Sequence, residues 1–303
     1  MGVADQHRIE GAPVSQPAAA LIPALPVPFT EDGGLDVPGL GTLLRATRDS
    51  GVDGVFTPGT TGEFIALEDD ERMTVVAEAL AVFGPEQTFA HVGAASARQA
   101  ERLAARAVEL GAVNLAAITP YYLPAGGRAL VDYFRRVSEA APGARIYCYL
   151  FRARTTTVVT PEQLAELAAI PGVVGAKISG EPTATVVEYL AAVPPGFAVF
   201  TGNNHEFGEV VRAGGAGCVS AVSSVFPEPF VALAAALRVG DEEAAAAAEI
   251  RIKQAITAVG GSIALLKAGL AMRGLPAGPT RVAIDPPTSE RLATLRAAIE
   301  DRP

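Results

Sequence analysis

Lysine is rare in this chain: three of its 24 basic residues are lysine, at Lys177, Lys253 and Lys267, and arginine supplies the rest. The basic residues are outnumbered by 33 Asp and Glu, the formal net charge is −9, and no basic run occurs. That balance lacks the electrostatic footprint of a nucleic-acid binder. Histidine is equally scarce. His7, His91 and His205 are scattered, no His/Asp/Glu set has metal-ligand spacing, and no metal centre is expected. The two cysteines, Cys148 and Cys218, each sit in an apolar, strand-like run. They read as buried free thiols, not as a disulfide or a zinc site, which fits a reducing cytoplasm. No stretch of about 18 apolar residues escapes interruption by Gly, Pro or charge, so no membrane span is expected. Residues 1–17 carry Asp5, His7, Arg8 and Glu10, lack the basic start and apolar centre of a signal peptide, and read as a disordered leader. Neither a Gly-x-Gly-x-x-Gly fingerprint nor a Walker loop is present, and no cofactor is expected.

What the chain does have is apolar bulk in a regular alternation. Half of its 303 residues are hydrophobic and 19% are charged, enough for a large core. Short β-branched or aromatic runs predict strands at Ala20–Leu25, Gly54–Thr57, Phe89–Gly93, Leu115–Thr119, Ile146–Leu150, Val173–Ile178, Ala198–Thr201 and Gly217–Ala221. Amphipathic stretches between them predict helices near 38–49, 68–83, 96–110, 128–141, 161–169, 183–193 and 206–213. Ser96 and Thr160-Pro161 are helix-start signals. Eight strands alternating with helices imply right-handed βαβ units that close into an α/β fold, the (β/α)8 TIM barrel. After the eighth strand the pattern is helical only, near 227–238, 241–259, 262–273 and 288–301. The expected organisation is a leader over 1–17, a barrel over 18–240, and extra C-terminal helices over 241–303 packed on the barrel. An open doubly wound sheet would normally show a phosphate-binding loop after its first strand. Here that strand runs into Pro26-Val27-Pro28-Phe29, so the barrel is preferred.

In such barrels chemistry gathers at the C-terminal ends of the strands. Those ends carry Gly59-Thr60-Thr61-Gly62-Glu63, then Pro120-Tyr121-Tyr122, Tyr149, Lys177 and Gly202-Asn203-Asn204-His205. Lys177 follows an apolar run, Val173 to Ala176. Desolvation in a barrel mouth lowers a lysine pKa, and a neutral amine can form a Schiff base with a ketone. Such chemistry also moves protons, and Tyr149 on the adjacent strand, with the hydroxyls of Thr60 and Thr61, can supply the path. Each feature alone also fits a plainer role. Lys177 could face solvent, the glycine-flanked loop could be a helix-capping turn, and Tyr149 could be a core aromatic. Their convergence on one face favours chemistry. His91 reads as a satisfied strand residue and His205 as a loop residue.

The Gly59–Glu63 loop, Pro120-Tyr121-Tyr122, and Tyr149 placed 28 residues before Lys177 resemble the dihydrodipicolinate synthase/N-acetylneuraminate lyase family of class I aldolases, over roughly residues 20–300. The resemblance implies that Lys177 forms a Schiff base with pyruvate or another 2-oxo acid, which then reacts with an aldehyde. It implies that Tyr149 shuttles protons through Thr60, and that Thr61, with Gly59 and the amides of its loop, holds the 2-oxo acid carboxylate. Tyr122 matches a tyrosine that crosses a tight-dimer interface, within a homotetramer built as a dimer of dimers. Arg154 matches the position that binds the carboxylate of the aldehyde in the synthases. Gly202 and Val219 match positions lining the pocket.

This chain also departs from the pattern. Leu150 and Arg152 replace the usual Asn and Pro after the tyrosine. Thr156 replaces a glycine of the synthase motif. His91-Val92-Gly93-Ala94 looks more like the sialate lyases, but their acidic pair after strand seven is Asn204-His205 here. The expected activity is a 4-hydroxy-tetrahydrodipicolinate synthase-like condensation. The alternatives are a 2-keto-3-deoxy sugar acid or N-acetylneuraminate-type aldolase or dehydratase, and a barrel that binds a 2-oxo acid without turnover.

Overall fold

The computed structural model describes residues 18–301, so the leader expected over 1–17 lies outside the described residues. Eight strands, β1 (Ala20–Pro23), β2 (Val55–Thr57), β3 (Thr88–His91), β4 (Asn114–Ile118), β5 (Arg145–Leu150), β6 (Val173–Ile178), β7 (Ala198–Thr201) and β8 (Gly217–Ser220), form one sheet in the order β1-β8-β7-β6-β5-β4-β3-β2. All of its pairings are parallel. The two remaining edges meet at a bridge between Ala24 and Phe56, where Leu25 N donates to Phe56 O at 3.3 Å.

The outer layer contains α1 (Val37–Asp49), α2 (Asp69–Gln87), α3 (Ala97–Glu109), α4 (Gly127–Glu139), α5 (Arg152–Thr155), α6 (Pro161–Ala168), α7 (Thr183–Ala192), α8 (Phe207–Arg212) and α9 (Pro227–Val239). The last of these serves as the eighth barrel helix and packs on β1. The C-terminal helices are α10 (Glu242–Val259), α11 (Ile263–Met272) and α12 (Ser289–Glu300). They share the barrel's own hydrophobic core: Ile252, Leu265 and Leu295 lie in one buried cluster with Leu21, Leu40 and Phe230. No single helix among the described residues is long and apolar enough to cross a membrane.

Local chemistry explains these elements. Thr160 and Gln163 cap α6 reciprocally, with Gln163 N donating to Thr160 Oγ1 at 3.3 Å and Thr160 N to Gln163 Oε1 at 3.0 Å. Ser96 Oγ accepts from Gln99 N at the start of α3. The α2 segment breaks at Gly84, whose φ of 73° leaves the helix one residue before Pro85. The short α5 was not expected, because one turn is too brief for a periodic pattern. On the strands, successive residues alternate between faces. Tyr147 and Tyr149 enter the barrel, while Ile146, Cys148 and Leu150 face the helices. Both cysteines are buried and free. The rings of Phe89, Tyr147 and Phe200 meet edge-on at 5.1–6.1 Å and fill the barrel interior.

Closure of the sheet depends on a close approach at the β1/β8 seam. Gly217 pairs with Ala20, and a Cβ there would lie 2.0 Å from Ala20 O. Gly217→Ala should cost about 1–3 kcal/mol, as overpacking does, and lower the thermal midpoint by roughly 3–10 °C. Thermal denaturation followed by circular dichroism measures this, and an unchanged midpoint would show that the seam can relax.

Candidate active site

The register of the sheet builds the centre of the site. Lys177 on β6 pairs with Tyr149 on β5 and with Phe200 on β7, so all three enter the same barrel interior. Lys177 is 6% exposed. Its Nζ lies 4.1 Å from the centroid of the Tyr149 ring and 4.2 Å from that of Phe56 on β2. No ion pair among the described residues involves it. Burial pulls its pKa down to about 7, so a large fraction of the amine is neutral near neutral pH. The adjacent ring faces favour the protonated form without supplying a formal negative charge.

Tyr149 is the second reactive group. Its hydroxyl stands 3.2 Å from Thr60 Oγ1, a hydrogen bond in which either oxygen can donate. Burial pushes the phenol pKa up, and the hydroxyls of Thr60 and Ser179 partly oppose that rise. The loop carrying Thr60 follows β2 and is held by two backbone bonds, Glu63 N to Thr60 O at 3.1 Å and Phe64 N to Gly59 O at 3.2 Å. A buried lysine, a tyrosine beside it and a threonine beyond have the chemistry of a nucleophile with a hydroxyl relay.

These groups open onto a cavity of about 230 Å³. It brings together Lys177, Tyr149, Thr60 and Thr61 with Arg154, Gly202 and Val219. Gly59 is a correction to the sequence reading, because it does not line this cavity. It is buried behind the wall, and a Cβ there would meet the Phe56 ring at 2.5 Å. Its small size lets the loop fold over the ring that faces Lys177. Tyr122 is also outside the cavity of its own chain. It is 89% exposed, with a φ of 73°, beside the exposed Leu123. Tyr121, in contrast, is half-buried, its ring edge-on to Phe64 at 5.7 Å.

Arg154 lies on the exposed α5 turn, its guanidinium carbon 5.9 Å from the Phe151 ring centroid. The turn ends at Thr156, whose φ of 58° is left-handed, which explains why glycine suits that position. Leu150 and Arg152 turn away into a separate cavity of about 260 Å³ with Glu181 and Tyr189. His91 is buried; its Nε2 accepts from Ile118 N at 3.3 Å, and burial with the nearby Arg72 charge holds its pKa well below the ordinary value. The exposed His205 does not line the reactive cavity.

Other residues around the amine are not among the expected site residues, although Asn204 stands in the expected segment after β7. Phe56 packs against the amine from behind the cavity wall, while in the lining Ser179 and Asn204 add polar groups and Val259, Ile263 and Leu266 bring in the C-terminal helices. The inward alternation of β2 could have indicated Phe56. Nothing local to Ile263 or Leu266 signals proximity to Lys177.

Residues 17–302 match the Dihydrodipicolinate synthetase family. A 4-hydroxy-tetrahydrodipicolinate synthase of Exiguobacterium sp. is 31% identical over 280 residues, spanning 91% of this chain and 95% of the relative. An uncharacterised DapA-like lyase of Halobacterium salinarum is 34% identical over 284 residues, 93% of each chain. Among solved structures, the E. coli K12 prophage protein YagE, of the dihydrodipicolinic acid synthase family and in complex with pyruvate, is similar with a TM-score of 0.86. It shares 26% identity over 93% of this chain and 97% of its own. Because the match spans nearly the whole chain and the fold is the same closed barrel, this protein belongs to the dihydrodipicolinate synthetase family of lyases and aldolases.

Proposed function

We propose that the protein is a pyruvate-dependent class I lyase that makes or breaks a carbon–carbon bond of a 2-oxo acid, with a 4-hydroxy-tetrahydrodipicolinate synthase-like condensation as its activity. The observation that carries this reading is the buried Lys177 amine, without a carboxylate partner and with a pKa near 7, in a cavity shared with the Tyr149–Thr60 hydroxyl pair. The pyruvate complex of YagE, a relative of the same fold, supports the choice of 2-oxo acid.

In this reading the neutral Lys177 amine attacks the C2 carbonyl of pyruvate. Tyr149 delivers a proton to the departing oxygen, and water leaves as the imine forms. Loss of a C3 proton gives an enamine, whose C3 bonds to the aldehyde carbon while the aldehyde oxygen takes up a proton. Hydrolysis of the imine then frees Lys177. Thr60 relays protons to and from Tyr149. Thr61 hydrogen-bonds the pyruvate carboxylate, and Gly202 and Val219 shape the pocket around it. Arg154 receives a carboxylate on the aldehyde through its planar fork.

The working unit in this proposal is a homotetramer, a dimer of tight dimers, in which Tyr122 completes the relay of the neighbouring subunit. The exposure of Tyr122 and Leu123, and the left-handed backbone at Tyr122, support an interface at this loop.

Pyruvate followed by borohydride should leave an irreversible mass on Lys177, found by peptide mass spectrometry. The trapping rate should rise from about pH 6 to about pH 8 and then level, because the neutral amine accumulates as pH rises through a pKa near 7. A label on Lys253 or Lys267, or none, would remove the Schiff-base mechanism. A rate still climbing near pH 10 would show an amine of ordinary basicity.

Arg154→Ala should raise the Michaelis constant of a carboxylated aldehyde about ten- to a hundredfold and that of pyruvate little, as expected for loss of a charge-assisted contact of roughly 1.5–3 kcal/mol. Steady-state kinetics in both substrates separates the two effects. Equal effects would make Arg154 structural.

Tyr122→Phe and Lys177→Ala should each be nearly inactive alone. Co-refolded, they should regain part of the activity, because one site of each mixed dimer then has an intact lysine and an intact donated tyrosine. No recovery in a mixture shown by native mass spectrometry to contain heterodimers would confine Tyr122 to its own chain.

A further inference from the structure

Glu63 ends the glycine-flanked loop, yet the chemistry above gives it no task. Its side chain is fully buried. Glu63 Oε2 accepts from the backbone N–H of Arg281 at 2.7 Å and of Val282 at 2.8 Å. Glu63 Oε1 lies 2.7 Å from the Nζ of Lys267 on α11, whose side chain is 3% exposed. The same ammonium donates to Pro279 O at 2.6 Å. A carboxylate of the loop is thereby tied to two parts of the C-terminal region.

The surroundings fix the segment that Glu63 holds. Lys267 Nζ and Arg281 Cζ lie 4.1 and 4.2 Å from the centroid of the Phe29 ring. Arg281 Nε donates to Gly33 O at 2.7 Å, and its Nη1 donates to Ala66 O at 3.1 Å, just beyond the loop. Arg281 also pairs with Glu71 at 2.6 Å. At Gly278 the φ is 64°, and a Cβ would lie 1.8 Å from Phe29 O, so the chain there must be glycine to lie this close. Residues 278–282 therefore lie as a fixed strap against Phe29 and bind the loop through Glu63.

A buried ion pair is a poor source of stability. Desolvation offsets its attraction, and a well-packed apolar replacement is often neutral or better. Its directional character is a different matter. Glu63 is the residue directly after Thr60-Thr61-Gly62, and it is left-handed, with a φ of 55°. A small rotation at this residue would swing the two threonine hydroxyls. In α11, Leu266 lines the reactive cavity and Lys267 beside it grips Glu63.

We propose that Lys267 and Glu63 are positioning residues: their ion pair, with the 278–282 strap, orients the loop that presents Thr60 and Thr61 to Tyr149 and to the 2-oxo acid. The proposal rests on the roles assigned to those threonines, and it goes beyond them in making the C-terminal helices part of the site's geometry.

The test is the double variant Glu63→Gln/Lys267→Met, which removes both charges and leaves no orphaned ion, while the carboxamide oxygen introduced on the loop can still accept from the two backbone N–H groups. Its thermal midpoint should stay within a few degrees of wild type. The pyruvate concentration for half-maximal borohydride trapping should rise about tenfold, and turnover should fall about ten- to a hundredfold, the scale expected for a misplaced reacting group. Amide hydrogen exchange at position 63 and at Phe64, whose N–H groups bond Thr60 and Gly59, should accelerate while that of β4 is unchanged. Wild-type kinetics and wild-type exchange in the folded variant would overturn the proposal. If the double variant does not fold, Glu63→Gln alone carries the same test, since the lysine left behind can lose its proton. Failure of both to fold would make the pair a stability element and refute the positioning role. Absence of a pyruvate label on wild-type Lys177 would sink the Schiff-base reading instead, and the exchange measurement would still decide the positioning one.

Discussion

An amine held in a barrel without a carboxylate is the constraint on which this site depends. Placing Lys177 among Phe56, Tyr149 and Phe200 removes water from its head group, and among the described residues no carboxylate pairs with it. The folded pKa falls from the usual 10.5 to about 7. Below pH 7 the amine is protonated in both folded and unfolded chains, and the cost of burying the charge is fully present. Between about 7 and 10.5 the unfolded chain binds a proton that the folded chain has lost, so this group's contribution to stability rises with pH. The ring faces of Phe56 and Tyr149, 4.2 and 4.1 Å from Nζ, offset part of that cost. What reduces stability at neutral pH is the same property that makes the amine a nucleophile there.

Strand register turns this local property into a site. Parallel strands with aligned ends put Lys177 opposite Tyr149, and the alternation of side chains sends both inward while Leu150 and Ile178 go to the helices. The tyrosine hydroxyl then reaches Thr60 across the barrel, on the loop after β2. Three residues far apart in sequence are brought together by one periodicity and one shear, without a dedicated binding element.

That logic also explains how much could be read in advance. The eight strands were legible because each is a short apolar run with turn chemistry at its ends, and every boundary fell within two residues of the structure. Lys177, Tyr149, Thr60 and Thr61 were legible because strand ends are where a barrel exposes its interior. Gly59, beside two candidate ligands, reads in the sequence as backbone approaching a substrate; in the structure it lies outside the cavity lining and makes room for the Phe56 ring. Glu63 resembled a turn or capping residue, since its partners Lys267, Arg281 and Val282 lie about two hundred positions away. Val259, Ile263 and Leu266 were invisible for the same reason. Helical periodicity marks an apolar face but not which distant surface it meets.

The same division locates where this chain can differ from its relatives. The departures at Leu150 and Arg152 follow Tyr149 in sequence, yet both side chains belong to the separate cavity with Glu181 and Tyr189. Neither lines the reactive cavity. Ser179, two residues after the lysine, and Asn204, in place of an acidic residue, do line the reactive cavity. Asn204 Oδ1 is buried there without a hydrogen-bond partner, a carbonyl that a donor on the acceptor substrate could satisfy. Opposite this polar chemistry stands an apolar wall from Val222, Val259, Ile263 and Leu266. The half of the cavity around Lys177 and Tyr149 is set by strand register, and Thr60 joins it from the loop that Glu63 ties to the C-terminal region. The half that would meet the aldehyde is assembled from loops and C-terminal helices, where one substitution moves a side chain without moving the barrel. On the proposed mechanism, discrimination between acceptors is therefore a property of Arg154, Ser179, Asn204 and the C-terminal wall, and the carbon–nitrogen chemistry of the lysine is common to all of them.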